Sequence, residues 1–161
     1  MYNLFMLPLN DKNFIDAVIQ AVLSASKKVA GMKQLGLSVP ALAYSTTFHD
    51  TIIAELAKAN KGFSKGAKSN DISYKGERWE LKTNRGKSGC TINRINKFEN
   101  VKLIIVNALP EQEKIFSIRL LEAKEEYFTS EDRGTQMKRL LPLGEKNAIQ
   151  IYPKSTSQTG L

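Results

Sequence analysis

At 161 residues the chain has room for one domain with a full hydrophobic core. Its 24 Lys and Arg against 16 Asp and Glu leave a net charge of +8, which favours a polyanionic partner, nucleic acid first. One cysteine, Cys90, and one histidine, His49, exclude an internal disulfide and an ordinary zinc site and argue against Cys–His nucleophilic chemistry; a metal here has oxygen ligands, which favours Mg2+ or Mn2+.

The apolar start, Tyr2 to Leu7, lacks the basic leader of a signal peptide, and no stretch approaches the ~18 apolar residues of a membrane span. A cytoplasmic protein with no membrane partner is expected. Asn10 or Asp11 caps a helix whose apolar positions Phe14, Ile15, Val18, Ile19, Val22 and Leu23 follow the helical period, ending near Gly31. Residues 31–45, with Gly36 and Pro40, read as loop or broken structure. A second helix starts after Ser45, Thr46 or Thr47 and turns Phe48, Ile52, Ile53, Leu56 and Ala57 inward, with Glu55 on the rim of that stripe. His49 reads as a capping or packing residue. A basic loop, residues 61–70, carries Lys61, Lys65 and Lys68.

Residues 71–83 then read as a β-hairpin. A two-residue turn at Lys75-Gly76, with Gly supplying a positive φ, pairs Tyr74 with Glu77, Ile72 with Trp79 and Asp71 with Glu80. Asp71, Ser73, Arg78, Glu80 and Lys82 then share one face, and Ile72, Tyr74, Trp79 and Leu81 the other. Two carboxylates directly opposite each other repel, and a divalent cation between them reverses the sign of that interaction. The polar face therefore reads as a candidate metal site, although a solvated outer face has the same pattern. A small basic segment, residues 83–89, and a short helix over 93–99 follow. Val101 to Ala108 is nearly all apolar, as in a central strand covered on both sides. Ile115 to Leu120 is its antiparallel neighbour across a Pro110-Glu111 turn. Leu121 to Phe128 reads as a helix, Ala148 to Tyr152 as a last strand, and residues 155–161 as a frayed tail.

In order, the helix with Glu55, the basic loop, Asp71, Glu80-Leu-Lys82, the small basic segment and the buried strand resemble the PD-(D/E)xK nuclease superfamily. The resemblance spans roughly residues 46–120. Its hairpin looks like that of small type II restriction endonucleases and of the mismatch-repair nicking enzyme MutH. Asn70 stands where the motif's name has proline, which many members also lack. The resemblance implies a mixed α/β domain, a central mixed sheet flanked by helices with a restriction-endonuclease-like core. Residues 1–45 would be an N-terminal helical extension, 46–120 the core and 121–161 a C-terminal helix and strand. It implies that Asp71 and Glu80 hold Mg2+, with Mn2+ able to substitute, that Lys82 orients and polarises the attacking water, and that Glu55 assists.

Phosphodiester hydrolysis suits those residue types on independent grounds, because it needs a nucleophile generator and positive charge at the phosphoryl oxygens. Lys61, Lys65 and Lys68 before the hairpin, and Asn84, Arg85, Lys87 and Ser88 after it, are placed to contact phosphates. Arg94 is a further candidate DNA contact, for base reading. The leading expectation is a restriction endonuclease acting on double-stranded DNA as a homodimer, the N-terminal helix supplying the dimer contact. A structure-selective or nicking nuclease (a junction resolvase or a MutH-like protein) and a non-catalytic basic nucleic-acid-binding protein are the alternatives.

Overall fold

The structure is a computed structural model that describes residues 7–36, 40–59, 61–66, 71–93, 101–129 and 137–154, with the main chain alone at Leu42, Asp71, Asn93 and Met137. Helix α1 spans Lys12–Gln34, with Asp11 as N-cap accepting from Phe14 N at 3.1 Å. It runs through Gly31 and stops where Gly36 takes φ +73°, its N–H donating to the Lys33 carbonyl at 3.1 Å. The helix stop is thus the left-handed glycine, not the first glycine. Helix α2 spans Ala41–Ala59, starting directly after Pro40 and between one and two turns earlier than the Ser and Thr residues suggest.

The strands are β1 (Phe63–Lys65), β2 (Asp71–Tyr74), β3 (Glu77–Arg85), β4 (Thr91–Asn93), β5 (Lys102–Leu109), β6 (Lys114–Glu122), β7 (Met137–Arg139) and β8 (Ile149–Tyr152). Six form one sheet in the order β1-β2-β3-β5-β6-β8, while β4 and β7 make a separate two-stranded ribbon. Within the sheet β3 and β5 run parallel and the other pairings are antiparallel. The architecture is mixed α/β, with a central mixed sheet.

Strand alternation divides the core in two. On one face Trp79, Leu81, Ile104, Val106, Ala108, Ile118 and Leu120 meet the apolar stripes of α1 and α2. On the other, Leu103, Ile105 and Leu121 meet Cys90, Ile92, Ala123, Tyr127 and Phe128. Strand β5 is covered on both sides, which accounts for its nearly unbroken apolar run. Helix α1 spends its stripe (Phe14, Ala17, Val18, Ala21, Val22, Ala25, Val29) inside this core, so its apolar face is not left for a second subunit.

Residues 121–128 do not form the expected helix. Leu121 and Glu122 extend β6, opposite Leu103 and Lys102, and Ala123 N donates to Val101 O at 2.8 Å. A 3₁₀ turn, Glu125–Tyr127, follows. The segment has helix-forming composition, but pairing with the buried β5 overrides propensity. A short helix α3, Pro142–Asn147, stands instead just before β8. Strand β1 occupies part of the expected basic loop. The expected helix over 93–99 and the tail fall almost wholly or wholly outside the described residues.

Candidate active site

The hairpin is built as its sequence requires. Lys75 (φ 48°) and Gly76 (φ 83°) both occupy the left-handed region, the signature of the two-residue turn that matches strand twist. The register follows: Tyr74 opposite Glu77, Ser73 opposite Arg78, Ile72 opposite Trp79 and Asp71 opposite Glu80. In such a hairpin the pair flanking the turn is hydrogen-bonded, so alternation makes Asp71–Glu80 a non-hydrogen-bonded pair. Its Cα atoms stand about 4.5 Å apart, the closer of the two spacings.

The apolar side of the hairpin is clamped by aromatic contacts. Phe14 of α1 packs on Phe63, Tyr74 and Trp79 at centroid distances of 5.4, 4.9 and 4.8 Å. The Tyr74 hydroxyl donates to Asp11 Oδ2 at 2.6 Å, so one carboxylate caps α1 and anchors the hairpin. That phenol, then the Phe14 N–H and the Lys75 ammonium, hold the Asp11 carboxyl below its ordinary range, while burial and Asp11 push the Tyr74 phenol up. From α2, His49 Nε2 lies 3.2 Å from the Leu81 carbonyl, in the middle of Glu80-Leu-Lys82. His49 thus joins α2 to the main chain of the candidate site.

On the opposite side, Glu80 is 12 % exposed and Lys82 14 %, with Lys82 Nζ 3.9 Å from Glu80 Oε2. Arg78 Nη2 donates to Glu80 Oε1 at 2.6 Å. The Glu80 carboxylate is therefore neutralised by two cations from its own strand. Beyond Lys82 the row continues through Ile105 to Arg119 on β6. Arg119 is buried, paired with Glu145 of α3, and donates to Asn107 Oδ1 at 2.9 Å. Asn107 donates to Gly89 O at 3.0 Å, and Thr91 N donates to Asn84 Oδ1 at 3.3 Å. This network fixes the turn leaving β3. Cys90 sits within it, and burial pushes its thiol up to about 11 despite the nearby Lys82 and Arg119 charges.

The other expected site residues fall in different places. Glu55 is ion-paired with Lys28 of α1, which holds its carboxyl below its ordinary range. That contact joins the two helices and does not bring Glu55 to the Glu80–Lys82 pair. Lys65 is paired with Ile72 in the sheet and so belongs to the helix-side face. Arg85 also follows the Trp79–Leu81 parity and grips Glu111 through both guanidinium nitrogens, which gives it a structural role. Asn84 follows the Glu80 parity, at the end of the row. Lys61, Lys87 and Ser88 are exposed. Lys68 and Arg94 lie outside the described residues.

Two further residues of this face carry a sequence signal of their own. Arg78 has the same period-two parity as Glu80. Arg119 is a lone charge inside the apolar run Ile118 to Leu121, which marks a buried partner. No protein-family model matches the chain, and no curated protein matches it either. Among the described residues no three acidic, His or Cys side chains converge on one point, and no helix is long and apolar enough to cross a membrane.

Proposed function

We propose that the chain is a Mg2+-dependent DNA endonuclease of the PD-(D/E)xK type, a restriction endonuclease cutting double-stranded DNA at a short specific site. The observation that carries the reading is the hairpin register, which sets Asp71 opposite Glu80 and places Lys82 on the Glu80 face, 3.9 Å from its carboxylate. A bare Glu-x-Lys on a solvated face does not need a carboxylate across from it, nor a lysine this far withdrawn from water.

The donor set fits a hard cation: two carboxylate residues at facing register positions. Asp71 and Glu80 would hold Mg2+ or Mn2+, which when bound supplies a more acidic water and neutralises charge on the phosphoryl oxygens. Lys82 contributes a fixed ammonium where the nucleophile and the phosphate meet, and its limited exposure strengthens that charge relative to one in open water. The exposed Lys61, Lys87 and Ser88 supply phosphate contacts. A homodimer would place two such sites on a symmetric sequence.

Incubation with plasmid and genomic DNA in Mg2+ or in EDTA tests this directly. Discrete fragments with one recurrent end sequence, absent in EDTA, are the expected result. Lys82→Ala is expected to lower cleavage by about 10²-fold or more while leaving DNA affinity within a few-fold. Undiminished cutting by that variant, or binding without cleavage by the parent, refutes the assignment. Nicking alone, or cutting confined to branched DNA, would retain the active site but replace the restriction role.

A further inference from the structure

Glu80 holds a cation at each oxygen in a setting that is mostly closed to water: Arg78 at Oε1 and Lys82 at Oε2. A divalent ion reaching that carboxylate meets both, and at such distances like charges repel strongly. One of them has to yield. Lys82 is 14 % exposed and stands beside the buried Cys90, whereas the Arg78 side chain is 52 % exposed. Across the sheet from Arg78 the row continues through Ser73 and Ser64, two small hydroxyl side chains of which Ser64 is exposed. A guanidinium that leaves Glu80 along this row meets small hydroxyl side chains rather than bulky ones.

Resting on the nuclease reading above, the geometry points to Arg78 as a phosphate-binding residue held in reserve. In the cation-free protein it neutralises Glu80. When a divalent cation takes that carboxylate, Arg78 transfers to a non-bridging oxygen of a DNA phosphate next to the scissile one, with the Ser64 hydroxyl as a neutral donor alongside. A guanidinium suits both partners, because its planar fork fits carboxylate and phosphate alike. The exchange couples the two ligands in both directions. Cation binding breaks the Arg78–Glu80 pair in favour of a contact with DNA, and a phosphate that captures Arg78 unmasks Glu80 for the cation.

The test uses the full chain and Arg78→Ala, with Arg78→Lys and Glu80→Ala as companions. Mn2+ affinity is measured by calorimetry without DNA, and affinity for a labelled duplex by anisotropy in Ca2+ and in EDTA. Arg78→Ala should bind Mn2+ about two- to five-fold tighter than the parent, the scale of one exposed ion pair removed. It should bind duplex about ten-fold more weakly in Ca2+, having lost one charge-assisted contact, yet within two-fold of the parent in EDTA. Arg78→Lys should fall between. Unchanged or weaker Mn2+ binding by Arg78→Ala, or an equal loss of DNA affinity with and without Ca2+, overturns the exchange. If Glu80→Ala binds Mn2+ as the parent does, the metal site itself fails and the exchange with it; Glu80-dependent binding that Arg78→Ala leaves unaltered sinks the exchange alone.

Discussion

Glu80→Gln removes one charge and little volume, and the structure sets the sign of its effect without metal. Like charges at facing register positions cost about 0.2–1 kcal/mol, so neutralising Glu80 would stabilise the protein if its pairing with position 71 dominated. Against it stands Lys82 at 3.9 Å, a gross attraction of about 4 kcal/mol at an effective dielectric constant near 20. Desolvation of two groups this withdrawn cancels much of that attraction, but the cost falls on Lys82 unrelieved once its counter-ion is gone. Arg78, half exposed, adds less than about 1 kcal/mol. The balance is a net loss of about 1–2 kcal/mol, which for a chain of this length lowers Tm by about 2–8 °C. Thermal melts in EDTA followed by circular dichroism read it. In the parent, Mg2+ at a hundred times its Kd adds about 2.7 kcal/mol, and Glu80→Gln should lose most of that gain. A Glu80→Gln protein at least as stable as the parent in EDTA, and equally stabilised by Mg2+, refutes both the Lys82 pairing and the metal role.

Three further outcomes follow from other parts of the structure. Gly76→Ala puts a Cβ at φ 83° and should cost about 1–2 kcal/mol in thermal melts; a neutral effect would argue against the two-residue turn and hence the register. Asp11→Asn keeps a capping side chain but removes the charge that Tyr74 stabilises. Because the folded-state pKa of Asp11 is depressed, its contribution is full above the ordinary value near 4 and disappears as pH falls through the lower one. The parent's advantage over Asp11→Asn should therefore shrink between pH 5 and pH 2, and denaturant titrations showing a constant difference would contradict that linkage. Cys90, with its thiol near 11, is about one part in a thousand thiolate at pH 8, so iodoacetamide should label it only on unfolding, not at the rate of a free thiol.

The hairpin was readable because its information is local. A turn that requires positive φ at Lys75 and Gly76 determines which residues face each other, and period two then assigns Asp71, Glu80 and Lys82 to one side. The central strand was readable because burial on both faces leaves no polar positions. What escaped is non-local. Whether Leu121 to Phe128 becomes helix or strand depends on β5, a partner brought up through the intervening turn, and composition alone points the wrong way. Arg85 and Glu55 have the same chemistry as DNA-binding and catalytic residues, and only the fold reveals Glu111 beside one and Lys28 beside the other. The short β4–β7 ribbon joins segments over forty residues apart, and no periodicity announces such a pair.

The two-residue turn has a kinetic consequence. Asp71, Glu80 and Lys82 belong to one hairpin, a unit that closes on the microsecond scale from contacts close in sequence. The parallel docking of β3 on β5 must instead wait for a longer loop to close. The spacing of the carboxylates is thus determined early and locally, before the sheet that will carry them exists. The Arg119 network that secures the turn beyond β3 forms only as β6 and α3 arrive. A chain built this way can drift in its outer strands while its hairpin chemistry stays in register.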